Sequence, residues 1–252
     1  MNKIIFTRKN STGIIILNNP KKLNSFDFAM VEELGRVLDV IGKSSLKAIV
    51  ITGSGRAFCS GGDISWEKEI GEMPMEQARK QMKYTQSVFA KIEQLPQVVI
   101  ALINGVAIGG GNELAMACDI RVAMSTAKFF HPETKFGTVA PLGGTKRLPR
   151  LVGLGRAKYM LFTGDVIDSK KALEWGLVDF LISQKEAKNF MNSLLSKIIK
   201  NPTKSTSLTK KSVNREYAKD LKDDFEASCY LNCSRSPENK SILKEFLKKK
   251  VS

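Results

Sequence analysis

Apolar positions recur along the chain with two periods in turn. Ile4–Thr7 and Gly13–Leu17 are short apolar runs either side of Asn10–Gly13, which predicts a hairpin. From Phe28 to Ile41, the residues Met30, Val31, Leu34, Val37, Leu38 and Ile41 fall three or four apart and predict a helix with one buried face. Lys47–Thr52 predicts a buried strand, followed by the loop GSGRAFCSGGD. Met75–Gln94 predicts a second helix, with Met75, Ala78, Met82, Phe89 and Ile92 on one stripe and Pro96 behind it as the stop. Val98–Ile103 predicts the next strand, and Asn104–Gly105 turns into the glycine run Gly109–Gly111.

Strands alternating with helices predict an α/β fold, a parallel sheet with both faces covered. From Gly143 onward the pattern turns helical, apart from an apolar stretch at Leu177–Ile182. The predicted helices are roughly Gly155–Thr163, Ser169–Trp175, Gln184–Lys200, Pro202–Lys219, Leu221–Cys233 and Pro237–Lys249.

Composition narrows this picture. A chain of 252 residues fits one large domain, or one domain with a small appendage. The formal charge of +15 fits an anionic ligand, nucleic acid or an acidic surface, and equally a solvated lysine-rich surface. No apolar run reaches the ~20 residues of a membrane helix, and the N-terminus lacks the long apolar stretch of a signal peptide. The four cysteines, Cys59, Cys118, Cys229 and Cys233, predict reduced thiols in a cytoplasmic setting. Cys229 and Cys233 can share a helix face, but no histidine pair accompanies them as a metal site requires. His131 is the one histidine.

Two glycine segments repeat one logic: Phe58-Cys59-Ser60-Gly61-Gly62-Asp63-Ile64 after one strand and Ile108-Gly109-Gly110-Gly111-Asn112-Glu113 after the next. Glycine lets backbone approach a ligand with no side chain between them. One amide from each segment can meet on a single negatively charged oxygen. Each segment alone also reads as a tight turn or a close helix–strand contact, and neither is a dinucleotide or nucleotide-phosphate fingerprint. Glu113 falls one turn into the predicted helix. Glu133 sits among Phe129, Phe130, His131 and Pro132, where desolvation raises a carboxyl pKa. Spacing alone does not bring the two glutamates together.

Taken in order, these segments resemble the crotonase family, the enoyl-CoA hydratase/isomerase superfamily. Asn19-Pro20-Lys21-Lys22-Leu23-Asn24 resembles N-R-P-K-A-L-N, and Phe58–Ile64 resembles F-x-A-G-A-D-[IL]. Asn104–Ile120 resembles N-G-x-A-x-G-G-G-x-E-L-A-x-x-C-D, and Pro132–Arg150 resembles P-E-x-x-x-G-x-x-P-x-x-G-G-T-x-R-L-x-R, with Pro141 one place late. Thr163-Gly164 and Glu238–Lys250 also fit.

The resemblance implies a spiral of ββα units over residues 1–195 and a C-terminal helical region, 196–252, that covers the site and builds trimers or dimers of trimers. It implies that the amides of Gly62 and Gly110 hold the thioester oxygen of an acyl-CoA, and that Glu113 and Glu133 flank its C2–C3 bond. Lys22, Ser60, Gly61, Asp63, Ile64, Gly109 and Pro132 are implied to contact the substrate. Lys22, Lys248 and Lys249 are candidates for the CoA phosphates, since Ser65 stands where some members place lysine. Ser60 and Gly62 replace the more frequent alanines. His131 is expected either as a satisfied core residue or as a pocket residue biasing Glu133.

The activity implied is hydration of a trans-2-enoyl-CoA without metal or redox cofactor. Acyl-chain length is expected to depend on a pocket whose depth is set by Trp66–Tyr84 and the C-terminal helices. The rival within the family is a Δ3-Δ2-enoyl-CoA isomerase, or another acyl-CoA lyase or hydrolase. Isomerases of that kind usually keep only the carboxylate at the Glu133 position. A rival of another class is an RNA-binding protein, supported by charge but by no aromatic RNA-binding motif or concentrated basic arm.

Overall fold

The computed structural model describes residues 2–215 and 225–249. Two strands open the chain, β1 (Ile4–Lys9) and β2 (Thr12–Leu17), paired antiparallel across a turn at Asn10, as the hairpin pattern predicts. Helix α1 (Phe28–Gly42) follows. Its N-terminus is capped by Asp27, which accepts from the Met30 amide at 3.0 Å.

The chain then repeats one unit: a long strand, a short strand, and helix. The first is β3 (Ala48–Gly53), β4 (Ala57–Cys59), α2 (Ile64–Glu72) and α3 (Met75–Gln94). The second is β5 (Val98–Ile103), β6 (Val106–Ile108) and α4 (Gly110–Met116). The third is β7 (Ile120–Met124), β8 (Lys128–Phe130), a 3-10 turn at Glu133–Phe136 and α5 (Gly144–Val152). Long strands join one sheet in the order β1-β2-β3-β5-β7-β10 and short strands a second, β4-β6-β8-β9, with β9 (Ile167–Asp168) and β10 (Phe180–Ile182) closing them. Apart from the edge pairs β1–β2 and β8–β9, all pairings are parallel. This is the ββα spiral that the resemblance implies.

Parallel strands covered on both faces read as continuous apolar runs, and here their alternation divides two cores. Ile49, Ile51, Val99 and Ala101 enter the main core with α1 and α3, while Val50, Ile100 and Val122 face Ala187 and Met191 of α8 (Ala187–Lys200). The remaining helices are α6 (Leu154–Thr163), α7 (Ser169–Glu174), α9 (Thr203–Arg215), α10 (Phe225–Cys233) and α11 (Pro237–Lys249). The helix readings over 216–219 and 221–224 lie outside the described residues. Helix α8 runs unbroken across residue 195 and packs on the sheet, so the boundary drawn there falls inside an element of the core.

Several expectations are corrected. Met75 is 38% exposed, and the buried stripe of α3 runs through Ala78, Met82, Thr85, Val88, Phe89 and Ile92. The sequence pattern shows neither α2 nor α5, nor the three-residue strands β4, β6 and β8. Three residues are too few to display a period. Helix α5 opens on glycine and holds Pro149. These elements shape the site.

Candidate active site

The two glycine segments meet where β4 and β6, neighbours in the short sheet, end. Phe26 lies along the first: its amide donates to Gly61 O at 2.9 Å, and the Asp63 amide donates to Phe26 O at 2.8 Å. The Gly62 amide between them is left over. In the second segment, Gly109 adopts φ +49° and its amide donates to Phe130 O at 2.9 Å. Contact between the segments requires glycine. A Cβ on Gly61 would sit 2.9 Å from Ile108 O and 3.3 Å from the Gly110 nitrogen. Among the described residues, neither the Gly62 nor the Gly110 amide has an acceptor.

Glu113 projects from the first turn of α4 and is fully buried. Its Oε1 accepts from the Leu142 and Gly144 amides, both at 2.7 Å, while Oε2 is buried with no partner. Burial, then the charges of Glu133 and Glu226, raise its pKa well above the ordinary value against the pull of the two amides. Glu133 opens the 3-10 turn. Its Oε1 lies 3.3 Å from His131 Nδ1, and its Oε2 is likewise buried without a partner. Thus the structure brings together what spacing alone did not: two glutamates, each with one oxygen engaged and one free.

His131 is a core residue with a partner at each ring nitrogen. It is fully buried, and Asn112 Nδ2 lies 3.0 Å from its Nε2. With the Asn112 amide donating there, Nδ1 carries the proton and donates to Glu133. Pro132 immediately precedes Glu133 and packs near Gly109. Lys22 Nζ pairs with Asp63 Oδ2 at 2.6 Å, and that partner raises the lysine pKa. Ser60 donates through its hydroxyl to Lys22 O at 3.2 Å, joining these residues into one exposed rim. Ile64 begins α2, capped by Asp63. Lys248 lines a separate cavity of about 810 Å³ between α2 and α11, together with Lys68, Lys240 and Lys244. The side chain of Lys249 lies outside the described residues.

Sequence reasoning missed three residues. Buried Glu226 of α10 accepts from the Gly143 amide at 2.8 Å, the Thr145 amide at 3.1 Å and the Thr145 hydroxyl at 2.5 Å. So alternate amides of one loop go to two carboxylates: residues 142 and 144 to Glu113, residues 143 and 145 to Glu226. Arg147 ties the same loop to α3, donating to Leu142 O at 2.7 Å and to Glu93 at 2.6 and 3.0 Å. Glu67 of α2 folds its carboxyl over Gly62. Only the burial of Glu226 and the fold-back of Glu67 over Gly62 mark them, and both require the fold.

The chain matches the enoyl-CoA hydratase/isomerase family over residues 7–250, and it belongs to that family. A short-chain-enoyl-CoA hydratase of Clostridium acetobutylicum is 34% identical over 99% of this chain and 96% of its own length. A crotonyl-CoA hydratase of Syntrophomonas wolfei is 33% identical over 98% and 95%. The crystal structure of an enoyl-CoA hydratase from Bacillus halodurans shares the fold at a TM-score of 0.91 and 24% identity, covering 96% of this chain and 99% of that one.

Proposed function

We propose that the chain is an enoyl-CoA hydratase that adds water across the C2–C3 bond of a trans-2-enoyl-CoA, with the Gly62 and Gly110 amides as oxyanion hole and Glu113 and Glu133 as acid and base. The observation that carries this is the pair of buried carboxyls, each anchored by one oxygen and free at the other, beside two amides without acceptors. Hydration needs two proton-handling groups, whereas a 1,3-proton shift can be run by one. A loop dedicated to holding Glu113 favours hydration over isomerisation.

The thioester oxygen accepts from both amides, so the charge that develops on it during attack is stabilised without reorganisation. Glu113 takes a proton from water through its free oxygen as the water oxygen bonds to C3. Glu133, its Oε1 held by His131, delivers a proton from Oε2 to C2. Hydration requires the pair to hold one proton between them, with Glu113 ionised when it activates water. Water supplies both the hydroxyl and the replacement proton, so atoms balance and no electrons are exchanged.

The rim formed by Lys22, Ser60 and Asp63 is where the CoA phosphates are read to bind, and the basic balance favours their capture. The four cysteines are free, in keeping with a reducing cytoplasmic setting. A homotrimer or hexamer is supported by an exposed apolar face on and beside α6, where Leu154, Phe162 and Val166 are each more than half exposed. Product analysis with a panel of enoyl-CoA thioesters tests the activity. 3-Hydroxyacyl-CoA from a trans-2-enoyl substrate is expected. Turnover only of trans-3-enoyl substrates to trans-2 products would replace this reading with the isomerase.

A further inference from the structure

Glu67 is a third carboxyl at the site, and neither hydration nor the family pattern requires it. It is the fourth residue of α2, whose first turn rises from Gly62 and Asp63. The side chain curls back so that Oε1 lies 2.6 Å, and Cγ 3.3 Å, from where a Cβ on Gly62 would stand. The family pattern more often has alanine at that place. In this chain, then, the missing methyl of Gly62 and the presence of Glu67 are one arrangement: the carboxyl fills the methyl's space, beside the free amide.

The setting of this carboxyl is unusual for an anion. The residue is half-buried, and it forms no hydrogen bond and no ion pair with any described residue, so no protein donor or cation supports a charge on it. The groups that face it are acidic: Asp63 at its own helix cap and Glu133 on the 3-10 turn. Burial first, and then the charges of Glu67, Glu133 and Glu113, raise the pKa of Tyr230 on α10. Lys22, the nearby cation, is engaged by Asp63. Burial, then Glu133 and Asp63, push the Glu67 carboxyl up to about 8.

We propose that Glu67 is a third donor of the oxyanion hole, working as an uncharged carboxylic acid beside the Gly62 amide. The inference rests on the reading that the thioester oxygen binds at the Gly62 and Gly110 amides. An ionised carboxylate there would repel the enolate-like oxygen as charge develops on it. A neutral one can donate its O–H to it, as carboxylic acids kept uncharged by their surroundings do in other oxyanion sites. The proton stays on Glu67 throughout, so the hydration balance is unchanged. Negative charge growing on the substrate oxygen opposes ionisation of Glu67 further, so the substrate itself helps hold the donor form.

The test measures kcat and KM for crotonyl-CoA against pH in the wild type, Glu67→Gln, Glu67→Leu and Gly62→Ala, with Glu113→Gln and Glu133→Gln alongside. Glu67→Leu is expected to lower kcat by about 10²-fold, the scale of one lost oxyanion donor, with a smaller change in KM. Glu67→Gln keeps a neutral N–H donor. It is expected to stay within several-fold of wild type near neutrality and to lose the fall in rate that the wild type shows as pH rises through the Glu67 titration. Gly62→Ala keeps the amide but displaces the carboxyl, so it is expected to follow Glu67→Leu. Wild-type kcat and pH profile in Glu67→Leu would overturn the proposal, as would a Glu67→Gln enzyme as slow as Glu67→Leu. If Glu113→Gln and Glu133→Gln also retained full activity, the hydratase reading of the site would fall with it. If those two lost activity while Glu67→Leu did not, only the Glu67 proposal would fall.

Discussion

At the scale of single residues, the site depends on which oxygen of each glutamate is engaged. Among the described residues, the Glu133 carboxyl has one hydrogen-bond partner, His131 at Oε1, and His131 is itself held by Asn112. Replacing His131 by leucine removes both contacts and leaves the Asn112 amide buried and unpaired. That loss is expected to cost about 1–3 kcal/mol of stability, read by urea unfolding. Hydration kcat is expected to fall more than KM changes, because Glu133 loses its orientation rather than the substrate its binding site. Unchanged stability and kcat would show that the chain Asn112–His131–Glu133 does nothing. Glu113, Glu133 and the two glycine segments were legible because each lies inside a continuous stretch matching a family pattern. Glu67 and Glu226 were not. Glu226 becomes a site residue through contacts 81 and 83 positions away, which no local spacing reports, and Glu67 through a side chain that curls back over Gly62 at the start of a helix the pattern does not show.

At the scale of elements, the loop between the 3-10 turn and α5 joins the Glu113 carboxyl to the C-terminal helices. Glu113 takes the amides of residues 142 and 144, and Glu226 of α10 takes those of 143 and 145. Glu226→Ala is expected to leave two amides unpaired, cost roughly 2–3 kcal/mol in stability and lower kcat by loosening the anchor of Glu113. Glu226→Gln keeps the shape but removes a charge that raises the Glu113 pKa. The pH-rate limb governed by Glu113 is therefore expected to move to lower pH in Glu226→Gln. A limb that stayed in place, with normal kcat in both variants, would make the contact structural only. The long strands and α1 and α3 were legible because their periods extend over six to twenty residues. Helices α2 and α5 were hidden by glycine and proline at their starts and interiors. They carry or abut the site for the same reason, since a close approach to ligand or neighbouring loop demands bare backbone.

At the scale of the whole molecule, the chain closes a sheet-and-helix core yet leaves large apolar side chains outside it. Phe162 is 70% exposed and Leu154 61% exposed on the same helix, with Val166 just beyond. Exposed apolar side chains of this size are the expected place for a subunit interface. Light scattering at micromolar concentration is expected to give three or six times the 27.9 kDa chain mass. A 27.9 kDa species alone would contradict the trimeric reading. Phe162→Asp is expected to weaken the assembly without disturbing the Glu113 anchor. The charge of +15 was visible from composition but not its use. The fold pairs Lys22 with Asp63 and places Lys68, Lys240, Lys244 and Lys248 around a different cavity.

The central claim is that Glu113 and Glu133 together move the protons of hydration, and the most direct measurement is the single-substrate hydration rate of folded Glu113→Gln and Glu133→Gln enzymes. Glutamine keeps the size and much of the hydrogen bonding, so lost rate reports lost proton chemistry. Each variant is expected to lose roughly 10²–10⁴-fold in kcat, about 3–5 kcal/mol of barrier. Glu113→Gln is expected to spare any 1,3-isomerase side activity better than Glu133→Gln does. Near wild-type hydration by folded Glu113→Gln would make that glutamate a structural residue and contradict the account.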